Sequence, residues 1–332
     1  MDTGLEPGTN LRDRYEILSL IGQGGMGAVY KAADNRLPGR VCAIKETWPP
    51  PGLGAEALVD TRGQFLREAS TLARLDHPNL PKVSDYFTMV PPGQSFSRDY
   101  LVMDYVAGED LEQIVQQARR EGRFLDEGEV LDWMDQLCDA LRYLHRQDPP
   151  VLHRDVKPAN VKLTPEGRIK LVDFGLVKPL DPTDPKTLTG LRGIGSLPYT
   201  PIEQYAGELG HTDRRSDLYS LGATLYHLLT GLAPANAQER FLDSGALRRP
   251  REVNPAISPA LEGAVLAAMA LHPKDRPASV EAWQAVLAGE LAMPPVARPR
   301  HEESWAQALR ANWWLILLAL ITISAAVLLT FR

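Results

Sequence analysis

The sequence predicts an α+β fold with two lobes, a small strand-rich N-terminal lobe and a larger helical C-terminal lobe. Short apolar runs bounded by turn residues recur between residues 15 and 104, which is typical of strands. From residue 130 onwards apolar residues recur instead at intervals of three and four, the spacing of helices. At 332 residues the chain is also long for one compact domain. A further uncharged stretch, residues 313–331, predicts one additional helix.

The composition argues against several kinds of protein. The net charge of -6 argues against nucleic acid as the main partner, because phosphate binding is driven by concentrated Lys and Arg. Cys42 and Cys138 are far apart in apolar runs, so we interpret them as buried apolar side chains and predict neither disulfides nor zinc. Residues 1–11 are rich in Gly, Pro and polar side chains, which predicts disorder. They lack a signal-peptide pattern, so the body of the protein is expected to start in the cytosol.

Three predicted strands open the small lobe, at residues 15–21, 29–33 and 41–45. The glycine-rich loop between the first two joins a hairpin, whereas a dinucleotide-binding loop would be followed by a helix. The loop matches the pattern Gly-x-Gly-x-x-Gly-x-Val through Gly22, Gly24, Gly27 and Val29. Such glycines let backbone amides approach phosphate oxygens without a Cβ in the way, although the pattern alone is equally typical of a tight hairpin.

Lys45 ends the third predicted strand, where it could bind phosphate or simply face solvent. An irregular loop rich in Pro and Gly follows, at residues 46–62. Apolar residues spaced by four and three then predict a helix over residues 62–75. Glu68 on this helix could turn toward Lys45, and its alternative is a solvated helix glutamate.

The small lobe is predicted to end with a strand pair at residues 82–89 and 99–104. Met103 would lie at the back of a nucleotide pocket, although a methionine in an apolar strand is by default core. Beyond it, residues 130–145 have the periodicity of an amphipathic helix, and residues 214–230 are apolar nearly all round, which predicts a buried helix. Two or three further helices are expected at 236–289, and the Pro- and Gly-rich segment 176–202 is predicted to lack regular structure.

The strongest chemical signal is the stretch of residues 152–160, Leu-His-Arg-Asp-Val-Lys-Pro-Ala-Asn, followed by Asp-Phe-Gly at 173–175. A hydroxyl that attacks a phosphate needs a carboxylate to receive its proton and side-chain oxygens to hold magnesium. Asp155, Asn160 and Asp173 offer these groups.

In this order the motifs resemble those of the eukaryotic-type (Hanks-type) Ser/Thr protein kinases, of the membrane-anchored bacterial type, over residues 12–289. The resemblance implies an N-lobe at 12–105 and a C-lobe at 106–289. It implies that Lys45 binds the α- and β-phosphates of ATP and is itself held in position by an ion pair with Glu68. Further ATP contacts are implied for the three loop glycines and for Val29, Ala43, Met103, Asp104 and Val106.

The resemblance also assigns the catalytic groups. Asp155 would orient and deprotonate the substrate hydroxyl, while Asn160 and Asp173 would ligate Mg2+, with Mn2+ as an alternative. Lys157 would steady the transferred phosphate, which favours Ser and Thr of proteins as acceptors. Structural roles are implied for Ser196, Glu203, Asp217 and Arg276: Glu203 would pair with Arg276, and Asp217 would brace the catalytic loop from the buried helix. Ser196 and the stretch Thr200-Pro-Ile-Glu203 depart slightly from the family pattern GTxxYxxPE, but Ser196 keeps the hydroxyl that would contact Asp155 and Lys157.

Regulation by phosphorylation is a further implication of the resemblance. Arg154 directly precedes Asp155 and could pair with a phosphate in the loop between 176 and 202. Thr187 and Thr189 are the best candidate acceptors, with Thr183 ranked lower. Autophosphorylation in this loop is therefore expected.

Residues 290–312 form a predicted linker, and 313–331 a predicted transmembrane helix. These 19 uncharged residues would make a helix of about 28 Å, close to the roughly 30 Å of a bilayer core. Three arginines precede the segment and only Arg332 follows it, which places the N-terminal side in the cytoplasm. We therefore expect a single-pass, C-terminal anchor in the cell membrane and no external sensor domain.

Two alternatives to an active kinase are a pseudokinase and a small-molecule kinase. A membrane-tethered pseudokinase scaffold would usually lack one of Lys45, Asp155 and Asp173, and all three are present. A small-molecule kinase of the same broad fold would be expected to lack the long loop and the Pro-Ile-Glu203 element. The physiological substrate, the activating signal and any requirement for a homodimer stay open.

Overall fold

The computed structural model describes residues 4–24, 27–48, 63, 65–67, 69–91, 97–173, 178–179, 194–205 and 212–289. Within these residues the N-terminal part forms a six-stranded antiparallel sheet in the order β1-β2-β3-β4-β6-β5. Its strands are β1 Asn10–Leu11, β2 Tyr15–Gly24, β3 Gly27–Asp34, β4 Val41–Thr47, β5 Val83–Met89 and β6 Arg98–Asp104. Between β4 and β5, residues 63, 65–67 and 69–72 are helical, and we name this segment α1. The predicted strand-rich lobe is confirmed.

The N-terminal residues correct one prediction. We predicted disorder over 1–11, but β1 pairs with β2, and the Gly8 amide donates to the Ile17 carbonyl at 2.8 Å. The amide of Leu5 donates to the Tyr30 hydroxyl at 2.9 Å. Composition suggested disorder because the segment has few apolar residues, but Leu11 is fully buried in the cluster behind the sheet.

A buried carboxylate lies behind the strand that carries Lys45. Glu46 is fully buried and accepts hydrogen bonds from Arg98 and Tyr100, both at 2.8 Å. Tyr30 and Trp48 also donate to it, at 2.9 and 3.0 Å. Because successive side chains of a strand point to opposite faces, this network fixes β4 from behind while Lys45 faces the other side.

The helical part contains α2 Leu111–Arg120, α3 Glu127–His145, α4 Arg214–Thr230, α5 Ala237–Leu242, α6 Pro250–Val253, α7 Pro259–Ala268 and α8 Val280–Leu287. The predicted buried helix is confirmed, since every residue of α4 from Ser216 to Thr230 is buried. Gly222 allows α4 to approach α7, because a Cβ there would lie 2.6 Å from the Cβ of Ala268. Four α-helices occupy 236–289 in the described residues, one more than the upper number expected.

Short strands frame the catalytic stretch. They are β7 Glu109–Asp110, β8 Val151–Leu152, β9 Val161–Leu163, β10 Ile169–Leu171 and β11 Lys178–Pro179. β9 lies between β10 and β7, and β8 pairs with β11. The prediction of no regular structure at 176–202 is therefore corrected where residues are described, at β11 and at the 3-10 helix Ile194–Tyr199. The prediction failed because β11 pairs with β8 through main-chain hydrogen bonds, which do not depend on the side-chain composition used for the prediction.

Candidate active site

The catalytic loop, residues 153–160, is held in place by one buried carboxylate of α4. Asp217 accepts hydrogen bonds from the amides of His153 and Arg154, at 2.9 and 2.7 Å. The ring Nε2 of His145 lies 2.8 Å from the same carboxylate. Arg154 has a φ of 65°, a left-handed conformation that a non-glycine residue adopts only when its surroundings enforce it. Asp217 thus lies where the predicted bracing role requires it.

Electrostatics keep this carboxylate charged. Burial favours the neutral acid, but the hydrogen bond and the positive character of His145, together with the Arg154 amide, hold the pKa of Asp217 below its ordinary value. A carboxylate that accepts several hydrogen bonds is a strong anchor, because each is charge-assisted. The loop therefore rests on an ionised side chain inside the core.

Asp155 is oriented by two neighbours in the loop. Its Oδ2 accepts from Lys157 Nζ and from Asn160 Nδ2, each at 2.9 Å. Asn160 Nδ2 also donates to the Asp155 carbonyl at 2.8 Å. Oδ1 is buried and has no hydrogen-bond partner among the described residues. The carboxylate is thus fixed by one oxygen and keeps the other for a further donor.

Lys157 connects this loop to residues 194–205, which we call the Ser196 segment. Its Nζ donates to the Ser196 hydroxyl at 2.7 Å as well as to Asp155. Ser196 is buried, and its carbonyl accepts from the Thr200 hydroxyl at 2.9 Å. The predicted contact of Ser196 with Lys157 is present, and its contact with Asp155 runs through Lys157.

Asp173 and Lys45 form an ion pair across the site. Asp173 has a φ of 63°, again left-handed. The amide of the preceding Val172 donates to the Asn160 carbonyl at 2.8 Å, which links Asp173 to the catalytic loop. The structure therefore brings together Lys45, Asp173, Asn160 and Asp155. The predicted partner of Lys45, Glu68, lies outside the described residues.

The oxygen donors suit a hard cation such as Mg2+. Asn160 uses its amide nitrogen on Asp155, so its amide oxygen is the atom that can face a cation, alongside the carboxylate of Asp173. In the described part of the chain no group of three or more His, Cys, Asp or Glu side chains could hold a metal ion. A magnesium site here would combine the oxygens of Asn160 and Asp173 with phosphate oxygens, which is the usual pattern for this ion.

The three glycines of the glycine-rich hairpin differ in how much space a Cβ would have. A Cβ at Gly22 or Gly24 would meet nothing within 4 Å, so the fold does not require glycine there. A Cβ at Gly27 would lie 1.9 Å from the Glu46 carbonyl oxygen, and its φ is 154°. Gly27 is thus needed for close pairing of β3 and β4, whereas the openness at Gly22 and Gly24 fits a bound phosphate.

The other residues expected to contact ATP lie on neighbouring strands. Val29 is paired with Lys45, and Ala43 with Met103. Met103 is buried in the main core cluster, as the default interpretation required. The Asp104 carboxylate accepts from the Lys82 amide at 3.1 Å, so a nucleotide contact from Asp104 would come from its main chain. Val106 lies two residues further along the chain, beyond the end of β6, and is partly exposed.

An ion pair anchors the far end of the Ser196 segment. Arg276 donates to both oxygens of Glu203, at 2.7 and 3.0 Å, and both side chains are buried. The Ser216 hydroxyl adds a hydrogen bond to Glu203 at 2.8 Å. The predicted pairing is present, and Ser216 is an additional partner.

Sequence reasoning missed several polar residues that support the site. One of them, His145, contacts Asp217, which holds the catalytic loop. Three others contact the Ser196 segment: Ser216, Ser220 and His227. A signal existed in α4, where Ser216, Ser220 and Thr224 recur every four residues among mostly apolar neighbours. Polar residues at that spacing form one stripe, which predicts a buried polar contact along one side.

Some predicted features lie outside the described residues. They are Glu68, Phe174 and Gly175, the threonines at 183, 187 and 189, the linker 290–312 and the segment 313–331. Among the residues that are described, no helix has the length and apolar character needed to cross a bilayer.

A strand-rich lobe, a helical lobe and a catalytic loop braced by a buried aspartate define a protein kinase domain. The chain belongs to the protein kinase domain family, whose sequence model matches residues 15–286. It is 36% identical over 301 residues to the Ser/Thr-protein kinase pkn3 of Myxococcus xanthus, covering 86% of this chain and 51% of that protein. It is 38% identical over 243 residues to the Ser/Thr-protein kinase PknA of Mycobacterium tuberculosis, covering 72% and 51%.

A solved structure supports the same conclusion. The structure titled PpkA-294 apo form superimposes with a TM-score of 0.65 at 28% identity, over 86% of this chain and all of that one. The resemblance to bacterial Hanks-type kinases is thus confirmed. The chain spans about half the length of the curated relatives described above.

Proposed function

We propose that the protein is a Ser/Thr protein kinase that transfers the γ-phosphate of ATP to Ser and Thr hydroxyls of proteins. The observation that supports this most directly is the asymmetric environment of Asp155. Lys157 and Asn160 hold Oδ2, while Oδ1 is buried without a partner among the described residues. A substrate hydroxyl that donates to Oδ1 would be oriented for attack and would deliver its proton to that atom.

The remaining groups would stabilise the negative charge of the ATP phosphates. Lys45, now paired with Asp173, would contact the α- and β-phosphates, and Lys157 would lie beside the phosphate in transfer. Asn160 and Asp173 would hold Mg2+, which when bound neutralises negative charge on the phosphates. Such positioning and electrostatic stabilisation supply most of the acceleration in phosphoryl transfer. Lys45, Asp155 and Asp173 are all retained, which favours catalysis over the pseudokinase alternative.

Transfer of labelled phosphate from ATP to casein tests this proposal. Asp155→Asn should lower the initial rate by about 100-fold or more, the typical contribution of a general base, and Lys45→Met should have a comparable effect. Asp132→Asn, an exposed carboxylate on α3, is the matched control and should keep the wild-type rate. Equal rates in wild type, Asp155→Asn and Lys45→Met would refute a kinase activity at this site.

Anchoring by residues 313–331 is a separate part of the proposal. The 19 uncharged residues and the flanking Trp313 and Trp314 support a span with the kinase domain in the cytoplasm. Fractionation of cells should place the full chain in membranes resistant to carbonate, and a chain ending at residue 290 in the soluble fraction. Recovery of both in the soluble fraction would contradict the anchor.

Autophosphorylation at Thr187 or Thr189 is also proposed, with Arg154 as the partner of the phosphate. Arg154 is buried next to Asp155, so a phosphate bound there would act on the catalytic loop directly. Mass spectrometry after incubation with ATP and magnesium should find phosphate between residues 180 and 196. Its absence from that segment in an active preparation would contradict the proposal.

A further inference from the structure

Helix α4 holds a tyrosine of the Ser196 segment at two points. Nδ1 of His227 lies 2.7 Å from the Tyr199 hydroxyl, and the two rings are stacked with centroids 6.2 Å apart. Ser220 donates to the Tyr199 carbonyl at 2.7 Å. Tyr199 and His227 are each 5 % exposed. Ser196 is three residues from Tyr199 and is hydrogen-bonded to Lys157. The contacts of Tyr199 therefore support the part of the site where the hydroxyl of a protein substrate would bind, which we call the acceptor side.

The same imidazole nitrogen faces a second element. Glu112 Oε2 lies 3.5 Å from His227 Nδ1. Glu112 is in the first turn of α2, and α2 packs against the turn Pro158–Asn160 of the catalytic loop. His227 therefore stands between two elements that each contact the catalytic loop, α2 directly and the Ser196 segment through Lys157.

The protonation state of His227 decides which partner Nδ1 serves. In the neutral tautomer that carries its proton on Nε2, Nδ1 accepts the hydrogen bond of the Tyr199 hydroxyl. A protonated Nδ1 donates instead, and the Glu112 carboxylate is its stronger acceptor because hydrogen bonds between charged groups are the stronger kind. Tyr199 would then lose the acceptor for its own proton.

Burial lowers the pKa of His227 below its ordinary value of 6.5; Glu112 opposes the shift and Arg119 of α2 adds to it. The imidazole thus contacts Glu112 from α2 and Tyr199 from the Ser196 segment, and the charge of Arg119 on α2 also acts on it. Because the pKa is lowered, the neutral form prevails above pH 6.5, and the Tyr199 contact is lost only as the pH falls below that value.

We propose that His227 is a positioning residue for the protein acceptor: in its neutral form it holds Tyr199 and the Ser196 segment in place, and its protonation transfers its hydrogen bond to Glu112. The proposal deepens the kinase function and depends on it for the catalytic readout. It predicts that acid weakens the use of the protein acceptor, whereas the nucleotide side, built on β3, β4 and β6, is unaffected.

Steady-state kinetics of the full chain with casein and ATP, from pH 5.5 to 8, test this. His227→Phe should raise the KM for casein about tenfold, the factor expected for one buried hydrogen bond, with less than a twofold change in the KM for ATP. His227→Gln, whose amide oxygen can accept from Tyr199 but does not titrate, should restore most of the casein KM and remove its rise in acid. His272→Gln, on an exposed histidine, is the matched control.

A rise of the casein KM in acid that is unchanged in His227→Gln would overturn the proposal, as would equal changes in both KM values in His227→Phe. An NMR titration of the His227 ring needs no catalysis and separates the two proposals. Glu112→Gln should lower the pKa of His227 further, because it removes the charge that opposes the shift. If that pKa does not move, the inference fails even in an active kinase; an inactive wild type would refute the function alone.

Discussion

Asp217 shows how one side chain determines the geometry of a whole loop. It lies more than sixty residues from the amides of His153 and Arg154 that it binds, yet it sets the left-handed conformation of Arg154. The backbone strain at Arg154 persists because the surrounding hydrogen bonds enforce it. Asp155, the next residue, takes its direction from that conformation.

We expect Asp217→Ala to be strongly destabilising. It would leave two buried amides and His145 without their acceptor, at a cost of about 3 kcal/mol in the free energy of unfolding. Urea denaturation measures this, with Asp132→Ala, an exposed carboxylate of α3, as a control that should change stability by roughly 0.5 kcal/mol or less. A small effect of Asp217→Ala would mean that the loop is held by other contacts.

The same residue has a pH signature. Because the folded-state pKa of Asp217 is lowered, its stabilising contribution is fully present above the unfolded pKa of about 3.9 and is lost as the pH falls through the folded pKa. Asp217→Asn should therefore be less stable than wild type at pH 7, and the difference should shrink below about pH 4. Thermal unfolding across this range measures it, and a constant difference down to pH 2 would contradict the assigned pKa direction.

At the scale of elements, the β2–β3 hairpin combines a structural and a functional requirement. Gly27 permits the close approach of β3 to the Glu46 carbonyl on β4, while Gly22 and Gly24 face open space. A sequence pattern treats these three glycines as equivalent. The structure separates them, because only one has a neighbour where a Cβ would be.

Alanine substitutions should separate the two requirements. Gly27→Ala should lower the free energy of unfolding by about 2 kcal/mol, because the strand pairing must shift to admit the Cβ. Gly24→Ala should leave stability within roughly 0.5 kcal/mol and raise the KM for ATP. Urea denaturation and ATP kinetics on both variants test this. Equal losses of stability would argue against the distinction.

At the scale of the whole molecule, distant parts of the chain are joined by buried ion pairs. Arg276 lies 73 positions from Glu203, and it also donates to the carbonyls of Ala270 and Leu271 at 2.7 and 2.9 Å. The Ser196 segment is thereby fixed to the region between α7 and α8. The contacts of Arg276 thus link the C-terminal helices of the helical lobe to the acceptor side of the site.

Breaking this pair should affect both stability and activity. Arg276→Met would leave the buried Glu203 charge without its main partner, at a cost of about 3 to 5 kcal/mol. The double variant Arg276→Met with Glu203→Met should recover part of that loss, since it removes the uncompensated charge. Urea denaturation of the single and double variants decides this. A double variant no more stable than Arg276→Met would show that the charge is not the cause.

Local sequence features predicted much of the fold and of the site. The periodicity of α3 was sufficient because this helix buries a continuous face, and α4 was recognisable because a helix buried on all sides is apolar nearly all round. The strands around Lys45 were visible as apolar runs. The polar helix α2 was not assigned, because it buries only Leu111, Val115 and Ala118. The N-terminal segment was predicted wrongly, because its order comes from pairing with β2 and from the Tyr30 hydroxyl.

By itself, the sequence determined the family, the two-lobed order of elements and the residue types at the site, because these are set by local pattern and by the chemistry of phosphoryl transfer. The tertiary structure alone decided which groups meet. Asp217 with His145, Asp155 Oδ2 with Asn160, and Tyr199 with His227 are contacts made by packing. Hydrogen bonds act over about 3 Å, so only the packing of the helices and loops determines which of many polar side chains become partners.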